Sequence, residues 1–264
     1  MRRVVFVSSL VSGLVLACSY GCVAAGEPGG RGGHEPTGQP LEESTSTGHF
    51  LVTRRDVRRC AAPFCGGWFV KLVNRAETPC ADGSSKPECY VSEIDLERLN
   101  LSEREVKEVT SAAESGRVIV EGRMIAMPVE DVVLGKLVAT SAWMGVSGSK
   151  PTGTFYRAAD NGLRCVRAPC PSTTAWALNM DESRDVTDVI ITRTEVSPDP
   201  WKLRHVQAAL TTEEGALVAG TITEEACETS PCRVALVASE AYLRVVPRDG
   251  KPASAIGADR DARE

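Results

Sequence analysis

Leu137-Val138-Ala139-Thr140-Ser141-Ala142-Trp143-Met144 is answered, 99 positions further along, by Leu236-Val237-Ala238-Ser239-Glu240-Ala241-Tyr242-Leu243. Self-similarity at a fixed spacing decides an architecture before any single motif does, because each unit then has to fold in the same way. Two more blocks align outward from this one. Phe50, Arg59, Cys60, Cys65 and Asn74 return as Phe155, Arg164, Cys165, Cys170 and Asn179 at an offset of 105. Val91, Ile94, Leu101 and Ser102 return as Val186, Val189, Val196 and Ser197 at an offset of 95, and from Gly116, matched by Gly215, the offset is 99. The chain therefore reads as α+β and β-dominated, two tandem copies of a small disulfide-stapled module with about five strands and one helix each. The copies span residues 49–146 and residues 153–246, and residues 145–153, rich in Gly and Ser, form a flexible linker between them.

Within one copy a strand near residues 50–53 leads into a Cys-x4-Cys turn carrying Pro63, or Pro169 in the second copy. Residues 67–74 and 90–96 alternate and are rich in β-branched and aromatic side chains, the pattern of strands. Ser102 with Glu105 three residues on is a capping box, so a helix starts there. It ends at Gly116 and turns Val106, Val109 and Ala113 to one face. Residues 117–127 and 132–143 read as two more strands. The second helix starts near Pro198 or Pro200, stops before Gly215 and turns Leu203, Val206 and Leu210 inward. Whether the copies pack face to face or share one sheet stays open at this level.

The repeat also sorts the cysteines. The ten residues missing from the second copy fall between Asn74 and Val91 and remove Cys80 and Cys89 together, while Cys227 and Cys232 align with Pro128 and Val133 and are gained together. Cysteines that come and go in twos are most simply bonded to each other. The expected bridges are Cys60 to Cys65, Cys80 to Cys89, Cys165 to Cys170 and Cys227 to Cys232. Each six-residue loop closed in this way contributes about 2 kcal/mol by the loop-entropy model. A structural zinc site asks for two close cysteine pairs or added histidines. Only His205 lies inside the folded stretch beyond residue 50, so no metal and no other cofactor is expected.

At the amino terminus Arg2 and Arg3 precede an apolar run, residues 4–16, too short to cross a bilayer, which takes roughly 20 residues. Val15-Leu16-Ala17-Cys18 resembles a bacterial lipobox, so residues 1–17 read as a lipoprotein-type signal peptide and Cys18 as the lipidated residue. A cut after Val23-Ala24-Ala25 is the alternative and would leave a secreted chain. Residues 18–48 are Gly, Pro, Ser, Thr and Glu with hardly a large apolar side chain, a disordered tether, and residues 247–264 read as a disordered tail. The expected place is outside the cytoplasm: lipid-anchored at the outer membrane or periplasmic, with secretion as the alternative.

Residues 54–68, Arg54-Arg55-Asp56-Val57-Arg58-Arg59-Cys60-Ala61-Ala62-Pro63-Phe64-Cys65-Gly66-Gly67-Trp68, with Cys80-Ala81-Asp82-Gly83, Glu88-Cys89-Tyr90-Val91 and Gly153-Thr154-Phe155-Tyr156-Arg157 downstream, resemble the domain of unknown function 6748 family, found in predicted envelope proteins of myxobacteria. The resemblance implies export and disulfides. It transfers no catalytic residue.

Catalytic patterns are missing too. Gly145-Val146-Ser147-Gly148 breaks the nucleophile-elbow spacing, and Gly148-Ser149-Lys150-Pro151 is not a phosphate loop. Glu213-Glu214 and Glu224-Glu225 are adjacent rather than placed across a cleft, as paired acid and base catalysts would be. The chain is expected not to be an enzyme. Four arginines in six residues, Arg54, Arg55, Arg58 and Arg59, stand out in a chain of net charge −5. They read either as solvated strand-edge charges or as a contact for an anionic surface such as lipid headgroups or polysaccharide. The acidic total disfavours nucleic acid. Three readings of function follow: a non-catalytic envelope module that binds or scaffolds a protein or polysaccharide partner, a secreted proteinase inhibitor presenting a disulfide-closed loop, and an enzyme with an unrecognised site.

Overall fold

A computed structural model describes residues 46–191, 194–225 and 232–247. The expected signal peptide, Cys18 as the expected lipidation site, nearly all of the expected tether, the expected tail beyond residue 247 and Cys227 lie outside the described residues.

The described residues are β-dominated, with two α-helices among them. The first strands are β1 (Ser46–Arg55), β2 (Trp68–Leu72), the short pair β3 (Thr78–Pro79) and β4 (Ser85–Lys86), and β5 (Cys89–Asp95). Helix α1 (Glu103–Glu114) follows, then β6 (Val118–Val129) and β7 (Val132–Gly145). Next come β8 (Thr154–Asp160), β9 (Thr173–Ala177), β10 (Ser183–Val186), β11 (Asp188–Ile190), α2 (Pro200–Leu210), β12 (Ala216–Glu224) and β13 (Val234–Arg244).

Five strands close a barrel. β1 pairs with β2 and β6, β6 with β7, β7 in parallel with β5, and β5 with β2. Alternation along each strand fills the interior with Phe50, Val52, Val70, Val91, Val120, Met124 and Leu137, and α1 lays Val109, Ala112 and Ala113 against the same cluster. The Ser102–Glu105 capping box forms as expected at the start of α1.

A second ring has the same pairing order. β8 pairs with β9 and β12, β12 with β13, β13 in parallel with β11, and β9 with β10. β10 and β11 are one run of chain interrupted at Thr187, whose N–H donates to Val234 O (2.8 Å), so this run closes the ring. Its core holds Ala158, Ala175, Val186, Val218, Leu236 and Ala241, with Val206 of α2 packed on it. Asp199 caps α2, accepting from the N–H groups of Trp201 and Lys202.

The rings share one continuous sheet. β13 pairs with β7 through Tyr242↔Gly145, Leu243↔Met144 and Arg244↔Trp143. Leu51, Val73, Ile119, Trp143, Phe155, Leu178, Leu217 and Tyr242 fill the junction. Two asparagines lock it. Asn74 Nδ2 donates to Phe155 O (2.7 Å) and Leu178 O (2.9 Å), and Asn179 Nδ2 donates to His49 O (2.9 Å) and Val73 O (3.0 Å). Their Oδ1 atoms accept from the N–H groups of Phe155 (2.8 Å) and His49 (2.9 Å). Both asparagines sit in the left-handed region, at φ 60° and 59°, which asparagine tolerates better than other side-chain-bearing residues.

Three sequence expectations need correction. Residues 145–153 are not a loose joint. Val146 and Ser149 are buried, Ser147 N–H donates to the carboxylate of buried Glu240 (3.0 Å), and Ser149 Oγ accepts from Val196 N–H (2.8 Å). The strand β1 begins at Ser46, inside the expected tether, because Ser46, Thr47 and Gly48 pair with Met124, Arg123 and Gly122. Phe50 and Phe155 are not counterparts. Val73 N–H bonds to His49 O where Leu178 N–H bonds to Phe155 O, so His49 matches Phe155 and Phe50 matches Tyr156. The cause is a bulge at Thr53: Val52 pairs with Val70 and Arg54 with Phe69, which inserts one extra residue into β1. With a side-chain period of two, this one-residue slip puts Phe50 inside its barrel and Phe155 at the junction.

Candidate functional site at the open end of the second ring

The two rings differ most in what covers one end. In the first barrel, residues 75–88 fold into a small hairpin through β3 and β4 and act as a stopper. Thr78 is wholly buried, and its Oγ1 accepts from Leu72 N–H (2.9 Å). Cys80, bonded to Cys89, packs with Ala81 into the same cluster as Phe50 and Met124, both of which are buried. The turn is held by Cys80 N–H to Ser84 O (2.7 Å) and by Asp82, whose carboxyl is kept below its ordinary range by bonds from Ser84 and Lys86.

In the second ring only a short turn, Met180, Asp181 and Glu182, follows Asn179 before β10 begins. Glu182 O accepts from Ala177 N–H (2.8 Å), the place that the Thr78 hydroxyl takes beside Leu72. Nothing else among the described residues covers this end. A cavity of about 730 Å3 opens there. Its floor includes Tyr156 and Ile222, which take the positions of Phe50 and Met124 and are half-buried rather than buried. Thr221, Asp181, Glu182 and Arg184 stand around the opening. Arg184 is paired with Glu224 (2.6 Å), whereas neither Asp181 nor Glu182 has an ion-pair partner among the described residues. The volume lies within the roughly 300–1,000 Å3 of ligand-binding clefts.

The arginine cluster is built differently from an open cationic patch. Arg54 pairs with Glu88 and stacks over Phe69 (3.5 Å to the ring centre), and Arg55 pairs with Glu114 (2.8 Å) beside Trp68. Arg58 grips the nearly buried carboxylate of Asp56 (2.8 Å), and their mutual bonds hold the Asp56 carboxyl low and the Arg58 guanidinium high. Arg59 alone of the four has no ion pair among the described residues. Arg54 and Arg55 reach to opposite sides of the strand, as alternation requires. The corresponding loop of the second ring repeats the device, with Arg164 on Asp160 (2.6 Å) pulling that carboxyl down to about 2.

Disulfides join Cys60 to Cys65, Cys80 to Cys89 and Cys165 to Cys170. Cys232 is also disulfide-bonded; Cys227, its expected partner, falls outside the described residues. Cross-links of this kind belong to an oxidising, exported environment. No helix among the described residues is long and apolar enough to cross a membrane, and no group of metal-ligating side chains gathers among them. The family model described as Domain of unknown function (DUF6748) matches residues 49–248. The chain belongs to the DUF6748 family. In this DUF6748 chain the match covers both rings and the junction. No curated protein and no solved structure matches.

Reasoning from sequence missed Tyr156, Ile222, Thr221, Asp181, Glu182 and Arg184 as a group. The signal that could have found them was already visible as the ten-residue deficit after Asn179. The ten residues of the first barrel that lack a counterpart there include Cys80 and Cys89, which hold the stopper.

Proposed function

We propose that this DUF6748 chain is an exported, non-catalytic binding protein of the cell envelope whose ligand enters the open end of the second ring. One observation carries the reading: the first barrel's end is stoppered by its own disulfide-closed hairpin, and the corresponding end of the second ring is, among the described residues, an open cavity with Tyr156 in its floor and with Asp181 and Glu182 lacking ion-pair partners at its rim. The two rings are read as copies of one ancestral module. Supporting this, Thr140 and Ser239 are bulged at corresponding places opposite Glu121–Gly122 and Ala219–Gly220, and the pairing of β7 with β13 is symmetric about Met144–Leu243. After duplication one copy kept a stopper and the other became a receptor.

The lipobox-like residues 15–18 support anchoring through Cys18 at the outer membrane, with the polar residues up to 45 holding the rings clear of the surface. The inhibitor reading has less support, because the loop carbonyls it would offer to a protease are already used: Pro63 O accepts from the Tyr90 hydroxyl (2.7 Å) and Phe64 O from Arg58 (3.2 Å).

The test is a photoreactive amino acid placed at Thr221 or, as the control, at Arg123, its counterpart in the stoppered barrel, in the full-length protein in cells of its native host. Irradiation is expected to give a discrete adduct from position 221 and none from position 123. No adduct from either, or equal adducts from both, overturns the proposal.

A further inference from the structure

The first barrel shows what its kind of opening accepts. The hairpin that carries the Cys80–Cys89 bond places Cys80 and Ala81 in one cluster with Phe50, Leu72 and Met124, and Thr78 just before them accepts from Leu72 N–H. The strands around the cavity of the second ring have corresponding positions in register. Tyr156 replaces Phe50, Ile222 replaces Met124, Ala177 replaces Leu72, and a glycine follows the bulge in both rings, Gly122 and Gly220.

Resting on the reading above, we infer that the open end of the second ring receives a tight, disulfide-closed turn of a partner polypeptide, in the manner in which the first barrel receives its own. The differences between the rings define the partner's chemistry. Phe50 becomes Tyr156, so a phenol ring stands at the floor where the first barrel has a bare ring, and Arg123 becomes the smaller, uncharged Thr221 at the margin. Ala177 N–H is already taken by Glu182 O, so the partner gains no backbone bond at that point and is recognised by side chains. Among the described residues the rim carries Asp181, Glu182 and Glu224 against one cation, Arg184, which selects basic residues flanking the turn. Small side chains at the tip are expected by analogy with Cys80 and Ala81, which fill the corresponding place in the first barrel. A turn pre-closed by a disulfide loses little conformational freedom on entry, which is how a shallow site of this size gains affinity.

The probe is a synthetic oxidised peptide of residues 77–90 carrying Glu88→Lys, titrated into the full-length protein and followed by backbone NMR. Shifts are expected to be confined to residues 153–156, 181–184 and 220–222. Reducing and alkylating the peptide is expected to weaken binding at least tenfold, as is Thr221→Trp in the protein. The double variant Asp181→Asn with Glu182→Gln, which leaves the fold's buried groups untouched, is expected to weaken it severalfold and to flatten its dependence on salt. No binding at millimolar peptide, equal binding of the open-chain form, or shifts centred on the first barrel overturns the inference. The two proposals fail separately. An adduct from position 221 that proves to be a glycan removes the peptide partner and keeps the binding site, whereas no adduct at all removes the site.

Discussion

At the scale of single residues, the junction depends on Asn74 and Asn179 more than their ordinary polarity suggests. Each satisfies three backbone groups of the opposite ring from a left-handed turn. Asn179→Ala strands buried backbone groups and forces a β-carbon residue into positive φ, and it is expected to cost about 2–4 kcal/mol in chemical denaturation. Asn179→Gly keeps the backbone conformation available and isolates the hydrogen-bond share. A loss below about 0.5 kcal/mol for the alanine variant would show that the lock is not made.

His49 carries a second consequence. Burial lowers its pKa, partly opposed by Glu121 at 4.0 Å and reinforced by Arg157. A histidine held neutral in the folded state leaves stability intact above its unfolded pKa of about 6.5 and removes it as pH falls below that value, since the unfolded chain takes up the proton first. The denaturation midpoint is therefore expected to drop between pH 7.5 and 5.5, and His49→Gln to flatten that drop. An unchanged slope in the variant would assign the effect elsewhere. Both asparagines were visible in the sequence as a repeated pair, but their role was not, because it lies in backbone atoms of the other ring that no side-chain pattern reports.

At the scale of elements, strands, helices and caps were largely legible: Ser102 with Glu105 marks α1, and Pro200 opens α2 with Val206 inward as expected. What escaped was register. The identity of Phe50 with Phe155 suggested one alignment, while the Thr53 bulge imposed another. A single inserted residue reverses which side faces inward without altering the apolar content of the strand. The stopper escaped for a related reason, since its strands β3 and β4 have two residues each and no periodicity to read. Its disulfide closes a loop of ten residues, and replacing Cys80 and Cys89 together by alanine is expected to cost about 3 kcal/mol, measured by denaturation under non-reducing conditions. The same variant is expected to admit solvent to Met124. If Met124 stays protected in it, the hairpin seals the barrel without its bond.

At the scale of the whole molecule, one sheet runs through both rings, and large side chains from each fill the seam: Trp143 from β7 and Tyr242 from β13, the latter wholly buried with its hydroxyl pKa pushed up by burial and by Glu240. Two rings of matching pairing order have unlike ends, one filled by its own hairpin and one open among the described residues. Hydroxyl-radical footprinting of the native protein tests this asymmetry most directly. Methionine is an intrinsically easy side chain to oxidise, so exposure has to override reactivity for the expected result to appear. The account predicts rapid oxidation at Tyr156 and Ile222 together with protection of Phe50 and Met124. Met124 oxidised as fast as Tyr156, or Tyr156 as protected as Phe50, would contradict it.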